Sequence, residues 1–117
     1  MPKKVLVVDD SAMMRKMIAR VLTGDGHVIL GEATSGQQAI SLYQSLHPEV
    51  VTMDITMREM DGLTAAREIR RIDPQARILF LSNLDEDKYR KIVDEIGGVG
   101  PVNKHKSAEI LALVNAA

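Results

Sequence analysis

Short apolar, β-branched runs alternate with longer helix-patterned stretches along this chain, and that alternation limits its fold more than any other feature. The runs are Val5-Leu6-Val7-Val8, Val28-Ile29-Leu30, Val50-Val51-Thr52-Met53 and Ile78-Leu79-Phe80-Leu81, with a weaker fifth from Val99 to Asn103. Their near-continuous hydrophobicity predicts strands buried on both faces, as in a parallel sheet.

The intervening stretches carry helical spacing. Met14, Met17, Ile18, Val21 and Leu22 share one face ahead of a Gly24 stop, and Tyr89, Ile92, Val93 and Ile96 repeat the pattern ahead of Gly97. Ala39, Ile40 and Tyr43 mark a shorter helix; Leu63, Ala66, Ile69 and Ile72 line another that stops before Pro74. The last is expected over about Ser107 to Asn115, with Ser107 as N-cap and Ile110, Leu111 and Val114 facing inward. The order reads (βα)5: an α/β, doubly wound parallel five-stranded sheet with helices on both faces, expected in the order 2-1-3-4-5.

At 117 residues and 45% hydrophobic, the chain has material for one sizeable core and no room for a second domain. A net charge of −1 leaves no electrostatic footprint for nucleic acid or an anionic membrane, so protein or small-anion partners are favoured. The apolar run Val5 to Val8 is broken by Asp9 and Asp10, too soon for a signal peptide or membrane span, and a cytoplasmic location is the default. The absence of cysteine excludes disulfides, thiolate zinc sites and cysteine nucleophiles.

In such a sheet, ligands bind beyond the carboxyl ends of the strands, where the winding reverses. Asp9 and Asp10 end the first strand, Asp54 the third, Ser82 the fourth and Lys104 the fifth. Three crowded carboxylates repel unless a cation shares them, and a hard divalent ion such as Mg²⁺ suits oxygen ligands. Lysine supplies a point charge for phosphate and serine a hydrogen-bond donor, so the set describes a phosphoryl-transfer site. Asp9 and Asp10 form a natural metal pair, which leaves Asp54 as the central candidate for nucleophile.

The pieces Val7-Val8-Asp9-Asp10-Ser11, Val51-Thr52-Met53-Asp54-Ile55, Met60-Asp61-Gly62, Leu81-Ser82 and Lys104 are those of a known family. The chain resembles a receiver domain of the two-component response regulators, in particular the stand-alone, CheY-type chemotaxis regulators, over essentially its whole length and without an appended output domain. The resemblance implies a phosphoryl group taken from a histidine kinase onto Asp54, with Mg²⁺ held by Asp9, Asp10, Asp54 and the backbone carbonyl of Thr56. It also implies that Ser82 bonds a phosphoryl oxygen, that Lys104 pairs with it, and that water later hydrolyses the aspartyl phosphate. Such a protein is a switch that catalyses only its own phosphorylation and dephosphorylation. Hydrolysis is tuned in the family at the positions of Thr56 and Leu84. The fourth helix, fifth strand and fifth helix would carry the output surface for a downstream protein target. A monomer is expected.

Three positions depart from the family pattern. Its Lys-Pro step, usually cis, is Lys104-His105; a non-proline cis bond costs roughly 2.5–4 kcal/mol, so a trans bond is expected, which could shift Lys104. Pro101 stands where a switching aromatic is common, and its missing N–H fits an edge strand. Arg58 replaces the proline typical of the loop after Asp54, loosening that loop and adding a cation near the site.

Other features read more simply. Asp61-Gly62 is a turn and helix start, and Met13, Met14 and Met17 are helix-spaced core packing. Arg67, Arg70 and Arg71 form a solvated helix face with Glu68. His27 and His47 are loop residues without metal spacing, whereas His105 sits where it could affect the pocket. Gly97, Gly98 and Gly100 belong to caps and turns. Two other functions compete with the switch. A phosphate-monoester hydrolase would place its nucleophile in an Asp-x-Asp at the first strand, which Asp9-Asp10 is not. A receiver-like interaction module with atypical or lost switching is the alternative motivated by Pro101, His105 and Arg58.

Overall fold

The computed structural model describes residues 2–83 and 87–117. The elements run β1 (Lys4–Val8), α1 (Ala12–Gly24), β2 (Val28–Ala33), α2 (Gly36–Leu46), β3 (Val50–Asp54), α3 (Gly62–Ile72), β4 (Ile78–Ser82), α4 (Asp87–Ile96), β5 (Val99–Asn103) and α5 (Ser107–Ala116). All neighbouring strands pair in parallel, in the order β2-β1-β3-β4-β5. The expected α/β class and strand order are both observed.

Strand alternation sorts the apolar residues between two cores. Leu6, Val8, Val51, Met53, Ile78 and Phe80 pack with Tyr43 of α2, Ala66 and Ile69 of α3 and Val93 of α4. Val5, Val7, Val50, Leu79, Leu81 and Val102 pack with Ile18 and Leu22 of α1 and Ile110 and Val114 of α5. The sheet is thus covered on both faces, which is why its central strands read as near-continuous apolar runs. Each Val, Leu, Ile, Met or Phe side chain among them contributes about 1.5–3 kcal/mol when fully removed from water.

Side-chain caps place the helix starts. Ser11, Ser35 and Asp61 accept hydrogen bonds from the backbone N–H groups of Met14, Gln38 and Thr64 and so begin α1, α2 and α3. At the end of α4, Gly97 takes φ +92°, and the N–H groups of both Gly97 and Gly98 donate to the Val93 carbonyl.

Several local expectations are corrected. Strand β2 continues through Gly31, Glu32 and Ala33, because pairing with β1 carries it past the apolar run. The N-cap of α5 is Lys106, and Ser107 is its first helical residue. Met13 is 79% exposed rather than core, and Ile72 is 40% exposed. Arg70 is half-buried and donates to the Ala76 carbonyl at 2.8 Å, so the solvated arginine face is reduced to Arg67 and Arg71. His27 is buried, its Nδ1 accepting from the Lys3 N–H at 2.9 Å, while His47 caps α2 with φ 50°.

The Lys104-His105 bond is trans as expected; among the described residues the cis peptide is Gly100-Pro101. Pro101 is buried in the edge strand β5.

Candidate functional site

The carboxyl ends of β1, β3, β4 and β5 deliver Asp9, Asp54, Ser82 and Lys104 to one edge of the sheet, all of them buried. Asp10 follows Asp9 and is exposed. Asp9, Asp10 and Asp54 each offer a carboxylate oxygen within 4.8 Å of the others. The Lys104 ammonium lies 2.8 Å from Asp9 Oδ2 and 3.2 Å from Asp54 Oδ1. The trans step after it therefore does not draw Lys104 away, and its backbone N–H is fixed on the Ser82 carbonyl at 2.9 Å.

Beyond that ammonium, Asp9 Oδ2 and Asp54 Oδ1 have no hydrogen-bond partner among the described residues, and neither has the Ser82 hydroxyl. Buried oxygens left this way are costly unless a further partner meets them. Burial, then the neighbouring Asp9 carboxylate, pushes the Asp54 carboxyl up to about 6, with a further push from Asp10 and against the pull of Lys104. Two buried carboxylates and an exposed one, all hard oxygen donors, fit a divalent cation of the Mg²⁺ type. Lys104 and Ser82 add a cation and a donor for an anion beside it.

Thr56 is exposed in the loop after β3. Leu84 lies outside the described residues. Asp61 is not drawn into the cluster and serves as the α3 cap, as expected. His105 is exposed, and its backbone N–H donates to Asn103 Oδ1 at 2.8 Å.

Two supports escape a reading by sequence. Arg15 Nη1 donates to the Asp9 carbonyl at 2.8 Å and its Nε to Glu32 Oε1 at 3.2 Å, tying the β1 end to β2. A helical arginine with a partner 17 residues away in sequence leaves no local signal. Gly62 packs against the backbone of Asp54, a contact that only the closing of the β3–α3 loop creates.

Comparison with known proteins gives the chain a family. Residues 5–115 match the response regulator receiver domain family. The chain is 48% identical over 86 residues to the chemotaxis protein CheY of Thermotoga maritima, spanning 74% of this chain and 72% of that protein. It is 45% identical over 96 residues to the chemotaxis protein CheY of Bacillus subtilis, spanning 82% and 78%. Among solved structures it resembles the CheX-CheY-BeF3-Mg complex from Borrelia burgdorferi, with a TM-score of 0.92, 31% identity and coverage of 99% of this chain and 89% of that one.

Proposed function

The chain belongs to the response regulator receiver family, and on that premise we propose that it is a phosphorylatable switch whose Asp54 accepts a phosphoryl group from a histidine kinase. One observation carries this reading: the buried Lys104 ammonium sits between the Asp9 and Asp54 carboxylates at 2.8 and 3.2 Å, at the strand ends. That is a nucleophile, a metal-side acid and an anion partner in one cluster.

Asp54 is the attacking carboxylate, being the acid at the centre of the sheet edge. Lys104 exchanges its Asp54 contact for a phosphoryl oxygen, and the Ser82 hydroxyl, buried without a partner among the described residues, donates to another. Asp9 is held through Oδ1 by the Ser11 N–H at 2.9 Å, while its Oδ2 faces the Lys104 ammonium at 2.8 Å. Asp9, Asp10, Asp54 and the Thr56 carbonyl would hold Mg²⁺, which offsets the charge gathered on the phosphoryl oxygens. The chain's chemistry is then confined to its own phosphorylation and dephosphorylation, with no separate enzymatic substrate.

The names of the CheY relatives support chemotaxis or a related two-component pathway, and on this reading the chain is one receiver domain that works as a monomer in the cytoplasm. The output surface is assigned to α4, β5 and α5, facing a protein target rather than nucleic acid or membrane. No helix among the described residues is long and apolar enough to cross a membrane. Incubation with acetyl phosphate and Mg²⁺ is expected to add one phosphate mass, absent in Asp54→Asn. An increment retained in that variant removes Asp54 from its role.

Pro101, buried in β5 at the position of the switching aromatic, favours a second reading in which the domain binds partners without the usual switch. Amide NMR with beryllofluoride and Mg²⁺ separates the two. Shifts across residues 87–106 support switching, and their absence supports the second reading.

A further inference from the structure

A cavity of about 360 Å³ opens beside the acid cluster, lined by Asp10, Thr34, Ser35, Arg58 and Glu59. Its volume lies in the range that holds small molecules. Thr34 Oγ1 donates to Gln38 Oε1 at 3.0 Å, and Ser35 Oγ accepts from the Gln38 N–H at 3.1 Å, which occupies the Thr34 proton and one Ser35 lone pair. Arg58 is exposed and makes no hydrogen bond or ion pair with any described residue, even with Glu59 on the same wall. The cavity thus has an uncommitted guanidinium on one side and Asp10, a member of the acid cluster, on the other.

We propose that this cavity is a donor subsite, in which Arg58 holds the leaving carboxylate of a small acyl phosphate during transfer to Asp54. The inference rests on Asp54 being the phosphoacceptor. An Asp54 oxygen bonds to phosphorus, the bond from phosphorus to the acyl oxygen breaks, and its electron pair departs on the carboxylate. No proton moves. Negative charge grows on the leaving oxygens, and a planar guanidinium matches a carboxylate in both charge and shape. Phosphoramidate differs at this point, because its nitrogen already carries the proton and leaves as neutral ammonia. Its leaving group offers Arg58 no anion.

The test compares acetyl phosphate with phosphoramidate as donors, with Mg²⁺ present, in the wild type, Arg58→Ala and Arg58→Lys. Arg58→Ala is expected to slow labelling by acetyl phosphate roughly fivefold, the scale of one exposed charge pair, and to leave the phosphoramidate rate unchanged. Arg58→Lys should fall between, and the loss should shrink as salt rises. Beryllofluoride affinity, read by NMR with Mg²⁺, should match in the wild type and Arg58→Ala, because that mimic has no leaving carboxylate. Equal effects on both donors, no effect on either, or a parallel loss of beryllofluoride affinity would overturn the donor subsite alone. If no donor labels Asp54 in the wild type, the phosphoacceptor reading fails and the subsite with it.

Discussion

Gly62 lies so close to Asp54 that a methyl group added to it would collide with the Asp54 carbonyl oxygen. The Gly62 N–H also donates to the Ile55 carbonyl at 2.7 Å, so the start of α3 is folded directly onto the end of β3. The position of Asp54 therefore depends on a missing side chain.

Gly62→Ala is expected to force this backbone apart, at about 1–3 kcal/mol of stability, the usual cost of overpacking. It should also slow phosphorylation of Asp54, because β3 and the loop shift together. Urea unfolding and the rate of labelling by acetyl phosphate measure the two effects. Native stability with native rate would mean that the loop moves aside without disturbing Asp54.

Lys104→Met removes the cation shared by Asp9 and Asp54 and leaves two buried carboxylates facing each other. Breaking a buried pair in this way costs roughly 3–5 kcal/mol, a loss that protonation of Asp54 limits as pH falls. Added Mg²⁺ should recover part of it if the cluster binds the ion. Thermal unfolding with chelator and with excess Mg²⁺ provides the comparison, and a variant indifferent to Mg²⁺ would count against the metal site.

Asp54→Asn should stabilise the metal-free protein at neutral pH. The folded-state Asp54 carboxyl is raised from 3.8 to about 6, so burying its charge opposes folding, by at most about 3 kcal/mol. Below 3.8 the group is protonated folded and unfolded alike and costs nothing; the cost grows as pH rises and is complete above about 6. The advantage of the variant should follow that window in denaturant titrations. An advantage independent of pH would point to packing rather than charge.

The Tyr43 hydroxyl donates to Asp73 Oδ2 at 2.6 Å, joining α2 to the end of α3. This bond, with the Gln75 N–H, holds the Asp73 carboxyl below its usual range. A lowered carboxyl stabilises the fold above its unfolded value and loses that contribution as pH falls through the folded one. Tyr43→Phe should cost about 0.5–1.5 kcal/mol at neutral pH and let the Asp73 pKa rise, which carboxyl NMR can follow. An unmoved Asp73 would assign its shift to Gln75.

The strands were legible because Val5 to Val8, Val50 to Met53 and Ile78 to Leu81 are apolar runs interrupted by Thr52 alone, a pattern that burial on both faces imposes, and their order because right-handed crossovers leave few alternatives. Asp9, Asp54, Ser82 and Lys104 were legible because strand ends are fixed points and a parallel sheet gathers them on one edge. The burial of His27 against Lys3, the anchoring of Arg70 on the Ala76 carbonyl and the grip of Arg15 on the Asp9 carbonyl join residues across the ends of elements, at separations of 24, 6 and 6 residues that no helix or strand period reads. Met13 follows helical spacing yet faces solvent, since the stripe buried from α1 is narrower than its methionines suggest. Ser107 resembles a cap in composition, but the loop after Lys104 places the helix start one residue earlier.

Whether phosphate resides on Asp54 can be read directly by labelling the wild type with acetyl phosphate and Mg²⁺, reducing the acyl phosphate with borohydride, and sequencing the peptides by mass spectrometry. Phosphorylated Asp54 becomes homoserine, and that conversion is expected at Asp54 alone and lost when Mg²⁺ is chelated. Homoserine at Asp9 or Asp10 instead, or no conversion in the labelled protein, would contradict the assignment of Asp54 as phosphoacceptor.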